Sequence, residues 1–322
     1  MILSNSRGQN EMSISRFTRY AALFGLTVLL VSGCTDRQQL KEEWQQAAAK
    51  QEQALSYQFS GELDLQLDAS LFEGAPPLTA GLLSVFKESR IAYSGKASLN
   101  EPVQLEADVK LTPKGADSGL ELPILLKDNK LYLHMPAVNK TDEFFMLPLG
   151  SNADRLKNTG RMSASVSGKL LQAANPDWLE SSGNDEPLAG GETAKHISML
   201  VTDKNKQQAA SYLAAVLPAI ADEWLSSGLI GEAQAKAWKE ASRSLQVTAP
   251  SSLETWIDSQ GVIRQQKAQL RFTLKEGGAV HAIQWTHRID AVNQPQTFEK
   301  ETPKLLKNTD EILRLLPKAS PN

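Results

Sequence analysis

The stretch YQFSGELDLQLD, residues 57–68, changes character at every step. Tyr57, Phe59, Gly61, Leu63, Leu65 and Leu67 alternate with Gln58, Ser60, Glu62, Asp64, Gln66 and Asp68. A period of two puts all the apolar side chains on one face of an extended chain and all the polar ones on the other. A long strand with one wet face belongs to an antiparallel sheet covered on one side only. That pattern sets the fold class, and the rest of the chain is read against it.

Downstream, VQLEADVKL (103–111) repeats the alternation, with Val103, Leu105, Ala107, Val109 and Leu111 on one face. Between the two, GLLSVFKESRIAYSG (81–95) accommodates one or two more strands. ELPILLKDNKLYLHMP (121–136) reads as a hairpin turning at Lys127 to Lys130. Near the C-terminus, residues 253–292 give three consecutive strands with turns at Asp258 to Gly261 and Glu276 to Gly278, a meander.

Two regions break the β pattern. LKEEWQQAAAKQEQALSY (40–57) contains neither Gly nor Pro and is rich in strong helix formers, which predicts a helix from about Arg37 to Leu55 with Leu40, Trp44, Ala47, Ala48 and Leu55 near one stripe. In the middle, a loop of small and polar residues from Ser181 to Gly191 leads to a strand-like KHISMLVTD (195–203). A helix follows with Tyr212, Leu213, Val216, Leu217, Ile220 and Trp224 on a broad apolar stripe. Pro218 inside it is expected to kink or split it, marking a possible lid. A second helix, about Gly231 to Ser244, carries Ala233, Ala237 and Trp238, with Leu245 following. The expectation is α+β: one large curved antiparallel sheet with helices over its apolar, concave face.

The N-terminus speaks to location. Arg16 and Arg19 precede an eleven-residue apolar block, Ala21 to Val31, then Ser32, Gly33 and Cys34, the only cysteine. A basic flank, a short apolar core and small residues before a cut make an export signal, and the core is too short for a permanent span, which needs about 20 residues. Val31-Ser32-Gly33-Cys34 resembles the lipobox of bacterial lipoproteins. That resemblance implies lipidation of Cys34 and anchoring of the mature chain to a membrane by acyl chains. It divides the sequence into a signal at 1–33, a lipidated tether at 34–40 and one domain at 41–322. Met12 is an alternative start, because Glu11 is out of place in a basic flank. Thr35 after the cysteine is not the aspartate that retains many Gram-negative lipoproteins in the inner membrane, which points to the extracytoplasmic face of a Gram-positive membrane.

Cleavage before Cys34 would leave 289 residues and move the formal charge from −3 to −5, since Arg7, Arg16, Arg19 and Glu11 depart together. A mildly acidic chain without a basic block argues against a nucleic-acid partner and against electrostatic docking on anionic lipid. With one cysteine there is no disulfide framework, so the core must hold the fold.

The order of segments carries a second resemblance. A Lys/Gln/Ala helix ending in ALSYQFSGELDLQL (54–67), then KLYLHMP (130–136), KHISMLVTDKNK (195–206) leading to a helix, and TWIDSQGVIRQQKAQLRFTL (255–274) resemble the LolA/LppX-like class, and within it lipoproteins of Gram-positive bacteria that share a half β-barrel. The resemblance implies a curved sheet wrapped around helices with an apolar cavity for acyl chains, and implies no catalytic residue or cofactor. The wall candidates are Phe59, Leu63, Leu65, Leu105, Val109, Leu131, Leu270, Phe272, Ile283 and Trp285. Each serves equally well in a solid core, and a chain so filled would instead bind an envelope protein or a cell-wall component.

Enzyme chemistry finds little support. No HExxH, GxSxG or glycine-rich phosphate loop occurs. The histidines are His134, His196, His281 and His287. His281 and His287 share a strand face but stand about 20 Å apart, too far for one metal. Each of the four reads as a polar group on a strand edge or rim, and Glu62, Asp64 and Asp68 as a solvated row.

Overall fold

The computed structural model describes residues 36–69, 86–136, 139–149, 166, 168–172, 174–189, 191–226, 231–275 and 277–308. Cys34, the expected export signal and part of the expected tether lie outside them.

Two meanders make one open sheet. The first is β1 (Ser56–Gln66), β2 (Glu88–Ser98), β3 (Gln104–Pro113), β4 (Leu120–Lys127), β5 (Lys130–Leu133) and β6 (Glu143–Pro148). The second is β7 (Leu179–Pro187), β8 (Thr193–Val201), β9 (Gln246–Asp258), β10 (Ile263–Thr273) and β11 (His281–Asp290). Each strand pairs antiparallel with the next, and β1 joins the halves by pairing with β11. A last strand, β12 (Leu305–Asn308), lies parallel to β6, giving the order β12-β6-β5-β4-β3-β2-β1-β11-β10-β9-β8-β7. The α+β class with a large, open, curved and almost wholly antiparallel sheet is therefore as expected.

Register confirms the two-faced reading of β1. Asp64 on the wet face pairs with Arg90, whose Nε donates to the carboxylate at 2.8 Å. The β4–β5 turn is tight: Lys127 pairs with Lys130, and Asp128 and Asn129 both take positive φ, 51° and 56°, the mirror-image turn that suits the twist of a hairpin.

Among the described residues, three long helices, α1 (Arg37–Gln51), α2 (Lys206–Ser226) and α3 (Glu232–Ser244), accompany the sheet. Leu40, Trp44, Ala47 and Ala48 of α1 are buried with Leu179, Ile197, Met199, Ile257 and Ile263, so α1 packs on the apolar, inner face at the β7–β10 end. Ala209 and Tyr212 of α2 and Trp178 of a short 3-10 turn (Pro176–Trp178) complete this core. Lys41 caps the packing by donating from Nζ to the Ala174 carbonyl at 2.8 Å.

Several expectations need correction. The first helix stops at Gln51, and Leu55 is exposed; its N–H donates to Asn293 Oδ1 at 2.8 Å as the chain turns into β1. The stretch 181–191 is not all loop, because 179–187 forms β7. An edge strand needs a ladder on one side only, so it tolerates Gly183, Pro187 and the irregularity between Ser181 and Asp185. Pro218 does not split α2, which runs unbroken through it. In α3 the buried positions are Ala235 and Ser242, while Trp238 is 45% exposed, its ring 5.1 Å from that of Trp224. Small residues allow α3 to approach α2 closely, and the large indole is left outside.

One feature had no sequence signal. After β11 the chain crosses the outer, polar face from β1 to β6 as an extended strap before forming β12. The Lys300 N–H donates to Glu106 Oε1 at 2.6 Å, and its Nζ meets Asp108 Oδ1 at 2.6 Å. Beneath it Glu106 is 4% exposed and ion-paired with Lys96 at 3.4 Å, and Leu125 and Tyr132 are buried on the same outer face.

Candidate functional site

Cross-strand partners in an antiparallel sheet share a face, so register maps the inner face directly. Leu65 sits opposite Ile283, itself opposite Leu270; Leu63 sits opposite Trp285, itself opposite Ala268. Phe59, Leu63, Leu65, Val109, Leu270, Ile283 and Trp285 form one apolar expanse over β3, β2, β1, β11 and β10, all partly accessible to solvent. At the helix-covered end, by contrast, Trp44, Leu179 and Ile197 are 0% exposed. Among the described residues, the helices contact the sheet at β7 to β10.

The other three wall candidates sit elsewhere on this face. Leu105 and Leu131 pack with Val103, Leu126 and Leu149 in a small satellite core near the β3–β5 end. Phe272 is buried against His281, ring centres 5.0 Å apart.

A polar row crosses the apolar expanse. Tyr93 on β2 is level with Gly61 on β1, His287 on β11, Gln266 on β10 and Thr255 on β9. A Cβ at Gly61 would lie 2.5 Å from Tyr93 Cζ, so the missing side chain lets the tyrosine ring lean over β1 and reach the next strand. Gly95 plays the same part for Phe59, whose Cζ would be 2.7 Å from a Cβ there. The Trp285 indole N–H donates to Tyr93 Oη at 2.9 Å, and that oxygen lies 3.0 Å from His287 Nδ1 and 3.5 Å from the Thr286 carbonyl. Assigning the phenolic proton to the nearer acceptor, in preference to the Thr286 carbonyl, makes Nδ1 of His287 an acceptor and places the ring hydrogen on Nε2. Burial agrees, pushing the His287 pKa down to about 4, so the ring is neutral at pH 7. The imidazole stacks on Trp285 with ring centres 5.5 Å apart and planes inclined by 10°.

The remaining histidines form no common centre. His281 is 2% exposed and accepts the Asp68 N–H at Nδ1 (3.1 Å), and burial lowers its pKa. His134 donates from Nδ1 to the Glu143 carbonyl at 2.8 Å. His196 stacks on Trp256 between two carboxylates, Glu186 3.0 Å from Nδ1 and Glu254 3.2 Å from Nε2. Because the carboxylates address opposite ring nitrogens, they are partners of the histidine and not a shared ligand set. The edge-or-rim expectation fails for His196 and His287, since β8 and β11 lie inside the sheet, and for His281, which opens β11 but is 2% exposed.

Tyr93, Gln266 and Thr255 were not singled out from the sequence. The available signals were Gly61 interrupting a row of large apolar residues, and Gln266 falling in the apolar phase of β10. A one-residue bulge between Ile263 and Gln265 shifts that phase and hides the second.

Among the described residues no helix is long and apolar enough to cross a membrane. No protein-family model and no curated protein matches the chain. Among solved structures it is similar to LprF from Mycobacterium bovis at 9% identity and a TM-score of 0.41, over 81% of this chain and 95% of that one.

Proposed function

We propose that this protein is a lipid-anchored, extracytoplasmic binding protein, held by Cys34 on a membrane of a Gram-positive cell, that carries an acyl-chain ligand on its inner face without chemically altering it. The observation that supports this is the contrast between the two ends of that face. One end is closed by α1 and buried to 0% exposure at Trp44, Leu179 and Ile197, while the expanse around Leu63, Leu65, Ile283 and Trp285 stays partly accessible. An apolar surface of that extent on an extracytoplasmic protein is favoured by covering it with apolar material. The anchor is supported by the lipobox resemblance at Val31 to Cys34.

A second reading, an envelope interaction protein with a filled core, draws on the solid packing at the β7–β10 end. The two readings part on substitution. Leu63→Lys on the inner face should lower co-purifying lipid while circular dichroism shows the chain folded, and Glu62→Lys on the outer face should leave the lipid load unchanged. Equal lipid content in both variants would remove the binding reading. Metabolic labelling with palmitate should be lost in Cys34→Ser, and retention of label would remove the anchor.

A further inference from the structure

The polar row contains one buried amide donor without a partner among the described residues and, beside it, a half-buried ring nitrogen that the tautomer assigned above leaves with a free hydrogen. His287 Nε2 carries the ring hydrogen, because Nδ1 accepts from Tyr93, and among the described residues it has no acceptor. Gln266, directly opposite His287 in the β10–β11 ladder, is 2% exposed, and its Nε2 amide is buried with no hydrogen-bond partner among the described residues. Burying the Gln266 N–H without an acceptor is costly, whereas His287 is only half-buried, which leaves its Nε2 within reach of a ligand.

Their place in the sheet suggests the acceptor. The row lies where the α1-covered core, which reaches β9 and β10, gives way to the partly accessible expanse. A hydrocarbon chain lying over Leu63, Leu65, Ile283 and Trp285 would bring its oxygen-bearing end to this margin. The inner-face residues beside the row, Phe59, Leu63, Trp285, Ile289 and Ala268, include no cation. An uncharged acceptor therefore suits the place better than a carboxylate, whose charge would go unpaired.

We infer that His287 and Gln266 form a carbonyl-binding pair on the inner face, holding the ester oxygen of an acylated ligand through His287 Nε2–H and the Gln266 amide. This rests on the acyl-chain reading above and adds the chemical class of the ligand's polar end. The pair binds and orients, and no bond of the ligand is made or broken. Trp285 and Tyr93 fix the ring: the indole N–H occupies the phenol oxygen, the phenol proton occupies Nδ1, and Nε2–H is left for the ligand.

The test compares two fluorescent probes on the full-length, processed protein: the methyl ester of a pyrene-labelled dodecanoic acid, and the pyrenyl alkane of equal chain length. Wild type should bind the ester about tenfold more tightly than the alkane, the worth of roughly one to two buried hydrogen bonds. His287→Phe and Gln266→Leu should erase that preference and leave alkane binding within about twofold, while His287→Gln, which restores an N–H near Nε2, should recover part of it. Gln266→Leu removes a buried group that lacks a partner, so its thermal midpoint should hold or rise, whereas His287→Phe also removes the nearer acceptor of the Tyr93 hydroxyl and should lower the midpoint slightly. Equal binding of the two probes by wild type, or an ester preference that survives both apolar variants, overturns the carbonyl pair and leaves the acyl-chain reading standing. A loss of both probes in equal measure in the variants assigns the two residues to the framework and overturns the pair. Failure of wild type to bind the alkane overturns the acyl-chain reading itself, and the pair with it.

Discussion

The Tyr93 ring lies over Gly61, in the space where any other residue would place a Cβ, and through it β2 reaches past β1 to hydrogen-bond with Trp285 and His287 on β11. The contact spans the seam between the two meanders, where the first strand of one half meets the last strand of the other.

Gly61→Ala should therefore cost more than its small size suggests. Its Cβ would meet Tyr93 Cζ at 2.5 Å and lie closer still to the phenol oxygen and to the backbone carbonyl of Thr286, so the strand must shift as well as the ring. A loss of about 1–3 kcal/mol is expected in urea unfolding, as for other overpacked sites. A parallel Tyr93→Phe variant, which keeps the ring and drops the hydroxyl, should cost less, about 1 kcal/mol.

Stability should fall on acidification through a window that His287 helps define. Its folded pKa, about 4, lies below the ordinary value of 6.5, so the unfolded chain takes up the proton first as pH falls. The contribution is complete above about pH 6.5, is lost progressively down to about pH 4, and levels off below. A pKa lowered that far is worth about 3 kcal/mol across the window. His281, also lowered by burial, acts in the same direction. Unfolding free energies of His287→Phe, measured against wild type at pH 7 and pH 4.5, should show a weaker pH dependence in the variant.

The sheet was legible in the sequence where one face is wet. YQFSGELDLQLD and VQLEADVKL advertise their period because each side chain meets either water or core, and the DN turn of the β4–β5 hairpin has few other uses. β7 was not legible, since an edge strand lacks a second ladder and tolerates the Ser, Gly and Asn that signal a loop. The strap from Ala291 to Lys304 has no period at all; it is held by single contacts such as Lys300 to Glu106, which no local pattern announces. The wall residues of the candidate site were legible as a face. The polar row was not, because Gly61, Tyr93, Gln266 and His287 meet only through the closing of β1 on β11.

The strap should depend on one buried carboxylate. Glu106→Ala removes the acceptor of the Lys300 N–H and leaves Lys96 without its ion-pair partner. A cost of about 2–4 kcal/mol is expected, near that of breaking a buried ion pair. Limited proteolysis followed by mass spectrometry should show faster cleavage between Ala291 and Lys304 than in wild type, with the helical core unaffected.

The helix-covered end should respond as a solid core. Trp44 is fully buried on α1 among Leu179, Ile197 and Ile263, and Trp44→Ala should cost about 3–5 kcal/mol. Because that end is filled by the protein's own side chains, added lipid should not restore the lost thermal midpoint.

The central claim is that the partly accessible expanse around Leu63 and Trp285 is covered by an acyl chain. Native mass spectrometry with lipid extraction decides it most directly, on protein beginning at Thr35, which retains every described residue, purified from a bacterial host. The expected result is a stoichiometric adduct of acyl-lipid mass, diminished in Leu63→Lys. A clean mass of the bare chain, together with no uptake of a fluorescent fatty acid, would contradict the account and turn the search to a protein or cell-wall partner.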